Sequence, residues 1–196
     1  MFRTGKAVYL TFDDGPIPEV TPSVLEILSR YDIKATFFMV GENIDKHPDI
    51  FNLVVNGGHA IGNHTYNHLK GWRCSTDEYL ANVEKCHNAI RSHHFSSLEG
   101  KGRERFLFRP PYGKATFCQR RALVKRGYSL IYWDILTRDY EATLTPEAML
   151  EQIKRNVRPG SIINFHDSLK SNGRMLEALP RAIEMLHKEG YEFGTL

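Results

Sequence analysis

Short apolar runs alternate with amphipathic stretches along this chain. Lys6–Phe12 predicts a first strand, which stops at Asp13-Asp14-Gly15-Pro16. Thr21 caps a predicted helix with Pro22 at its first position, and Val24, Leu25, Leu28 and Tyr31 recur at helical spacing. Ala35–Val40 is almost continuously apolar, the pattern of a strand covered on both faces. Pro48 opens a second helix with Ile50, Phe51, Val54 and Val55 inward, and Gly57-Gly58 closes it. His59–Ile61 is a short third strand. Ser75-Thr76-Asp77-Glu78 is a capping box opening a helix to about Arg91. Ser92–Arg105 is polar and reads as an exposed loop, with His93 and His94 as solvated surface residues. Phe106–Phe108 is strand four, followed by a helix over about Thr116–Lys125. Ser129–Trp133 is strand five. Thr145-Pro146-Glu147 starts a helix with Met149, Leu150, Ile153 and Val157 on one face. Ser161–Phe165, a last helix over Met175–Lys188 and a final strand at Tyr191–Phe193 complete the chain.

Strand followed by helix, about seven times without a linker or repeat, predicts an α/β fold with a parallel sheet. That many units favour a distorted (β/α) barrel over an open sheet. The expectation is a single domain over residues 1–196. The chain has 196 residues, 41% hydrophobic and 25% charged, enough for one sizeable core. Its formal charge of +3 is too mild for a nucleic-acid binder, and only Lys101, Arg103 and Arg105 cluster. No run is long enough to span a membrane. The first residues lack the pattern of a signal peptide, so the chain reads as cytoplasmic or as an exported domain without its leader. Cys74, Cys86 and Cys118 are scattered and suggest neither a disulfide framework nor a structural zinc site.

In such folds the loops after the strands share one face. Asp13 and Asp14 follow strand one, His64 and His68 strand three, and Arg109 strand four; Asp139 lies after strand five and His166 ends strand six. All are therefore expected on one rim. His-x-x-x-His places two imidazoles on one side of a helical turn, a spacing suited to one metal ion. A carboxylate of the Asp pair completes a two-His, one-Asp set for a catalytic divalent metal. No glutamate lies between the histidines, so a base must come from elsewhere, and the other Asp of the pair is the candidate. A metal-activated water beside a carboxylate base is hydrolytic machinery. In this scheme His166 donates a proton to a poor leaving group, Asp139 orients its imidazole, and Arg109 keeps the base ionised.

These residues, in this order, resemble the polysaccharide deacetylases of carbohydrate esterase family 4, from about Lys6 to the C-terminus. Thr11–Pro16 is similar to that family's first motif, which implies Asp13 as general base and Asp14 as metal ligand. His64 and His68 match its H-[ST]-x-x-H motif, which implies the other two ligands. Arg109-Pro110-Pro111-Tyr112 matches the third motif, which implies that Arg109 contacts the base and that the Tyr112 amide stabilises the oxyanion. Trp133–Tyr140 resembles the fourth motif, which implies that Asp139 orients the catalytic histidine. Phe165-His166-Asp167 resembles the fifth, which implies His166 as general acid. Tyr140 departs from the usual Trp, Leu136 from a frequent Asp, and Asn164 from an apolar residue.

The resemblance implies a metal-dependent hydrolase that removes acetyl groups from N-acetylated sugars of a peptidoglycan or chitooligosaccharide. Zinc is the default metal, and cobalt or iron also suit the set. The partner is an acetylated glycan. An O-acetyl xylan-type esterase and a non-catalytic carbohydrate-binding member of the fold stand as alternatives, with a two-His, one-carboxylate iron oxygenase as a further rival.

Overall fold

The structure is a computed structural model that describes residues 5–93 and 106–196. His94, the basic cluster and most of the predicted polar loop lie outside the described residues.

The strand β1 (Ala7–Asp13) lies at the centre of an all-parallel sheet. Along one edge it pairs with β7 (Ile162–His166), with Thr11 opposite Asn164 and Asp13 opposite His166. Its other edge is divided. Ala7–Tyr9 pair with β8 (Glu192–Gly194), and Thr11–Asp13 pair with β2 (Thr36–Met39). Beyond β2 come β3 (Ala60–Asn63), β4 (Phe106–Phe108) and β5 (Tyr128–Leu130); beyond β7 comes β6 (Ile135–Leu136). No pairing joins β5 to β6 among the described residues, so the barrel is curled but open on that side. The helices are α1 (Thr21–Arg30), α2 (Gly41–Lys46), α3 (Pro48–Asn56), α4 (Thr76–His93), α5 (Phe117–Lys125), α6 (Pro146–Asn156) and α7 (Asn172–Lys188). None of those described is long and apolar enough to cross a membrane.

Side chains alternate across a strand, so β1 and β7 each present two different faces. Val8, Leu10, Phe12, Ile163 and Phe165 turn outward into the core shared with Val24, Leu28, Leu179 and Ile183 of α1 and α7. The Phe12 ring stacks 5.0 Å from Phe37 and 5.9 Å from Phe165. Each such fully buried side chain contributes roughly 1.5–3 kcal/mol. The opposite face carries Thr11, Asp13, Asn164 and His166. Gly62 on β3 is required here, because a Cβ would meet the Phe38 ring at 2.4 Å. That ring in turn carries the Arg109 guanidinium, 4.0 Å from its centre.

Several local expectations are corrected. Thr21 is the first helical residue of α1, and Val20 occupies the cap position without a side-chain bond. The Thr21 hydroxyl is engaged elsewhere: it accepts from the Ile17 N–H at 2.8 Å and donates to Asp167 Oδ2 at 2.7 Å. Strand five ends at Leu130 rather than Trp133. The Ile131 and Tyr132 carbonyls turn to the Arg109 guanidinium instead of a neighbouring strand. Asp139 consequently follows the additional strand β6. The short helix α2 is also additional. The capping box is present: the Ser75 Oγ accepts from the Glu78 N–H, and the Glu78 carboxylate accepts from the Ser75 N–H, both at 3.1 Å. His93 is half-buried rather than solvated, with Nε2 3.5 Å from Asp45 Oδ1 and its ring against Phe51.

Candidate active site

Asp13 ends β1 on its inward face, and Asp14 follows in the left-handed region at φ 88°. The Asp14 carbonyl accepts from Asn43 Nδ2 at 2.8 Å, and the Gly15 N–H donates to Asp167 Oδ1 at 3.0 Å. A Cβ on Gly15 would fall 2.0 Å from Asp167 Oδ2, so this close approach demands glycine. Asp167 and α2 thus clamp the segment that aims both carboxylates.

His64 and His68 do not lie on a helical turn. They sit in a loop in which Thr65 and His68 take φ values of 67° and 55°. The loop is held by side chains: the Thr65 N–H donates to Asn63 Oδ1 and the Leu69 N–H to Thr65 Oγ1. His64 Nδ1 donates to the Arg109 carbonyl at 2.7 Å, which leaves Nε2 with a lone pair. That nitrogen lies 3.7 Å from Asp14 Oδ1, and His68 Nε2 lies 3.3 Å from the same oxygen. One donor atom from each of Asp14, His64 and His68 lies within 4.8 Å of the others.

Burial pushes both imidazoles down, His68 to about 4, so they are neutral donors. Burial, with Asp13 and Asp139 nearby, pushes Asp14 above the ordinary carboxylate range. Two neutral imidazoles around a desolvated carboxylate form a donor set that fits a divalent cation.

Two charged pairs accompany this cluster. Asp13 Oδ1 lies 2.7 Å from Arg109 Nη1, and both side chains are buried. Burial alone would raise the Asp13 carboxyl, but the charges of Arg109 and His166 outweigh it and hold it below its ordinary range. Asp13 therefore remains ionised. The second pair joins His166 Nδ1 to Asp139 Oδ1 at 2.7 Å, and the other Asp139 oxygen accepts from the His166 N–H at 2.8 Å. Burial opposes a charge on His166, yet the Asp139 bond and charge, together with Asp13 and Asp14, lift it to about 9. It is an imidazolium at neutral pH.

A cavity of about 630 Å³ opens over these groups. Asp13, Asp14, His64, His68, Tyr112 and His166 line it, while Arg109 and Asp139 support it from beneath, both fully buried. The structure thus gathers the eight residues singled out in the sequence, six at the surface of the cavity and two behind it. Tyr112 takes a left-handed backbone at φ 60°, and its ring lies 4.6 Å from His68 and 5.4 Å from Trp72. Trp133 forms part of the wall, and Gly113 makes room for it, since a Cβ there would meet the indole at 2.7 Å. Leu136 and Tyr140 lie on the cavity too, with the Tyr140 ring edge-on to His166 at 5.0 Å. Thr11, Asn43 and Thr21 were not legible as parts of the site. Their polar atoms act on backbone or neighbours that sequence spacing does not reveal.

The chain belongs to the polysaccharide deacetylase family, whose sequence pattern matches residues 3–131. It is 33% identical over 192 residues to a peptidoglycan-N-acetylglucosamine deacetylase of Bacillus cereus, covering 96% of this chain and 66% of that protein. A chitooligosaccharide deacetylase of Azorhizobium caulinodans is 38% identical over 164 residues, covering 82% of this chain and 73% of that one. A solved peptidoglycan N-acetylglucosamine deacetylase, in complex with an N-oxidanyl-benzamide, superposes with a TM-score of 0.89 at 31% identity. That match covers 98% of this chain and 87% of the other.

Proposed function

We propose that this chain hydrolyses the acetamide of N-acetylglucosamine units in a glycan of peptidoglycan or chitooligosaccharide type, with residues 1–196 acting as one catalytic domain. Asp14, His64 and His68 would hold the divalent cation. Bound there, such an ion, zinc by ligand preference and otherwise cobalt or iron, supplies Lewis acidity toward an acyl oxygen and acidifies water.

The remaining chemistry belongs to the side chains. Asp13, kept ionised by Arg109, takes a proton from the attacking water. The Tyr112 amide donates to the acyl oxygen as that oxygen gains charge. His166 gives its proton to the sugar nitrogen as the C–N bond breaks, leaving acetate and a free amine. Asp139 holds the imidazole in place and sustains its charge. The observation that carries this reading is the placement of two charged pairs beside one donor set on one cavity: Asp13 on Arg109 and His166 on Asp139, each at 2.7 Å, next to Asp14, His64 and His68. A proton donor in that position favours an amide over an O-acetyl ester, because an amine needs protonation to depart more than an alcohol does.

Asp13→Asn tests the assignment. Acetate release falls by at least about 100-fold while bound metal, measured by elemental analysis, stays at the wild-type ratio. Retained turnover would remove Asp13 from the role of base.

A further inference from the structure

Strand β7 carries one polar side chain between two outward-facing apolar neighbours: Asn164, fully buried between Ile163 and Phe165. Its register sets it beside Thr11, two residues before Asp13. Asn164 Nδ2 donates to Asp13 Oδ2 at 3.0 Å. Asn164 Oδ1 accepts from Arg109 Nη1 and, at 2.8 Å, from the Thr11 hydroxyl. Arg109 Nη1 also donates to Thr11 Oγ1 at 2.8 Å.

The amide orientation follows from the chemistry of the partners. Guanidinium has only donors, so the amide oxygen must face Arg109; an ionised carboxylate has only acceptors, so the amide nitrogen must face Asp13. A side chain between them has to accept on one side and donate on the other. Asparagine does both, and neither leucine nor aspartate does. Each Asp13 oxygen is consequently held by its own donor, Oδ1 by Arg109 and Oδ2 by Asn164. Oδ2 is also the oxygen nearer the histidine cluster, 4.0 Å from His64 Nε2. An arginine bond to Oδ1 resists rotation about the Cβ–Cγ bond at one oxygen only. The second bond restrains the other oxygen, the one on the side of the histidine cluster.

We propose that Asn164 is a positioning residue for the reaction, fixing the rotamer of the Asp13 carboxylate so that Oδ2 faces the cavity. This rests on Asp13 being the base. Displacing a catalytic group by about 1 Å costs on the order of 100-fold, so loss of the clamp falls on kcat.

The experiment compares four metal-loaded proteins: wild type, Asn164→Leu, Asp13→Asn and the double variant. Acetate release from N-acetylglucosamine oligomers gives kcat and KM, and an activated aryl acetate provides a readable residual rate for the Asp13→Asn pair. Elemental analysis and a thermal midpoint accompany each. Asn164→Leu is expected to lower kcat by about 10- to 100-fold with KM and metal content unchanged. In the Asp13→Asn background it is expected to lower the residual rate no further, because there is no base left to position. A further loss in that background, or an intact kcat with a raised KM, overturns the proposal. An active Asp13→Asn overturns the base assignment itself and takes the proposal with it, a result distinct from the other two. Asn164→Ala adds no bulk and serves if the leucine variant does not fold. It removes both the donor to Asp13 and the acceptor for Arg109, and wild-type kcat from it overturns the proposal as well.

Discussion

Asp139→Asn removes the charge that holds His166 protonated and leaves the side-chain shape intact. At about 1.4 kcal/mol for each pH unit, the rise of His166 from 6.5 to about 9 represents roughly 3 kcal/mol of preference for the imidazolium. Burial opposes that preference, so the gain comes from carboxylates, and Asp139 is the nearest at 2.7 Å. Without it, burial wins and the imidazole titrates well below the wild-type position. The assay is an NMR titration of the histidine ring signals in metal-free protein, with His166 assigned by substitution. The sign carries over to stability. A group whose pKa is raised by folding stabilises fully below its unfolded value of 6.5, and that contribution is lost as pH rises through about 9. The wild-type advantage over Asp139→Asn in urea unfolding should therefore be largest below pH 6.5 and shrink past pH 9. Turnover should fall by about 100-fold at neutral pH, the usual scale for losing an effective general acid. A His166 that titrates at the same pH in both proteins would refute this reasoning.

Two further outcomes bear on the site. His64→Ala removes a proposed ligand and, with it, the lone pair that the Arg109 carbonyl keeps turned inward; bound metal should drop below stoichiometric by elemental analysis, and unchanged content would break the ligand assignment. His166→Ala should slow hydrolysis of an N-acetyl sugar by at least about 10-fold more than hydrolysis of an activated aryl acetate, since only the amine needs a proton to leave; equal losses in the two kinetic assays would argue against a general acid.

Much of this was readable from residue order. The alternation on β1 and β7 sends Leu10, Phe12, Ile163 and Phe165 to one face and Thr11, Asp13, Asn164 and His166 to the other. That alternation, with loops gathered at the strand ends, suffices to predict one rim. The four-residue spacing of His64 and His68 misled, because a helix and a loop with two left-handed residues bring such a pair together equally well. Thr21 reads as a cap from local pattern alone; a buried carboxylate from the far end of the chain claims its hydroxyl. The depth of Arg109 and Asp139 was hidden for the same reason. Charged residues at strand ends are normally solvated, and only the assembled site supplies the partners that allow them to be fully buried. Asn164 was visible as a polar residue in an apolar strand, but its meaning required the register that sets it beside Thr11 and the Asp13–Arg109 pair.

The most direct test of metal-dependent deacetylation is acetate release from N-acetylglucosamine oligomers by the protein as purified, after chelation, and after zinc or cobalt is added back. The account predicts release that disappears on chelation and returns with metal. Stoichiometric metal without any acetate release would contradict it.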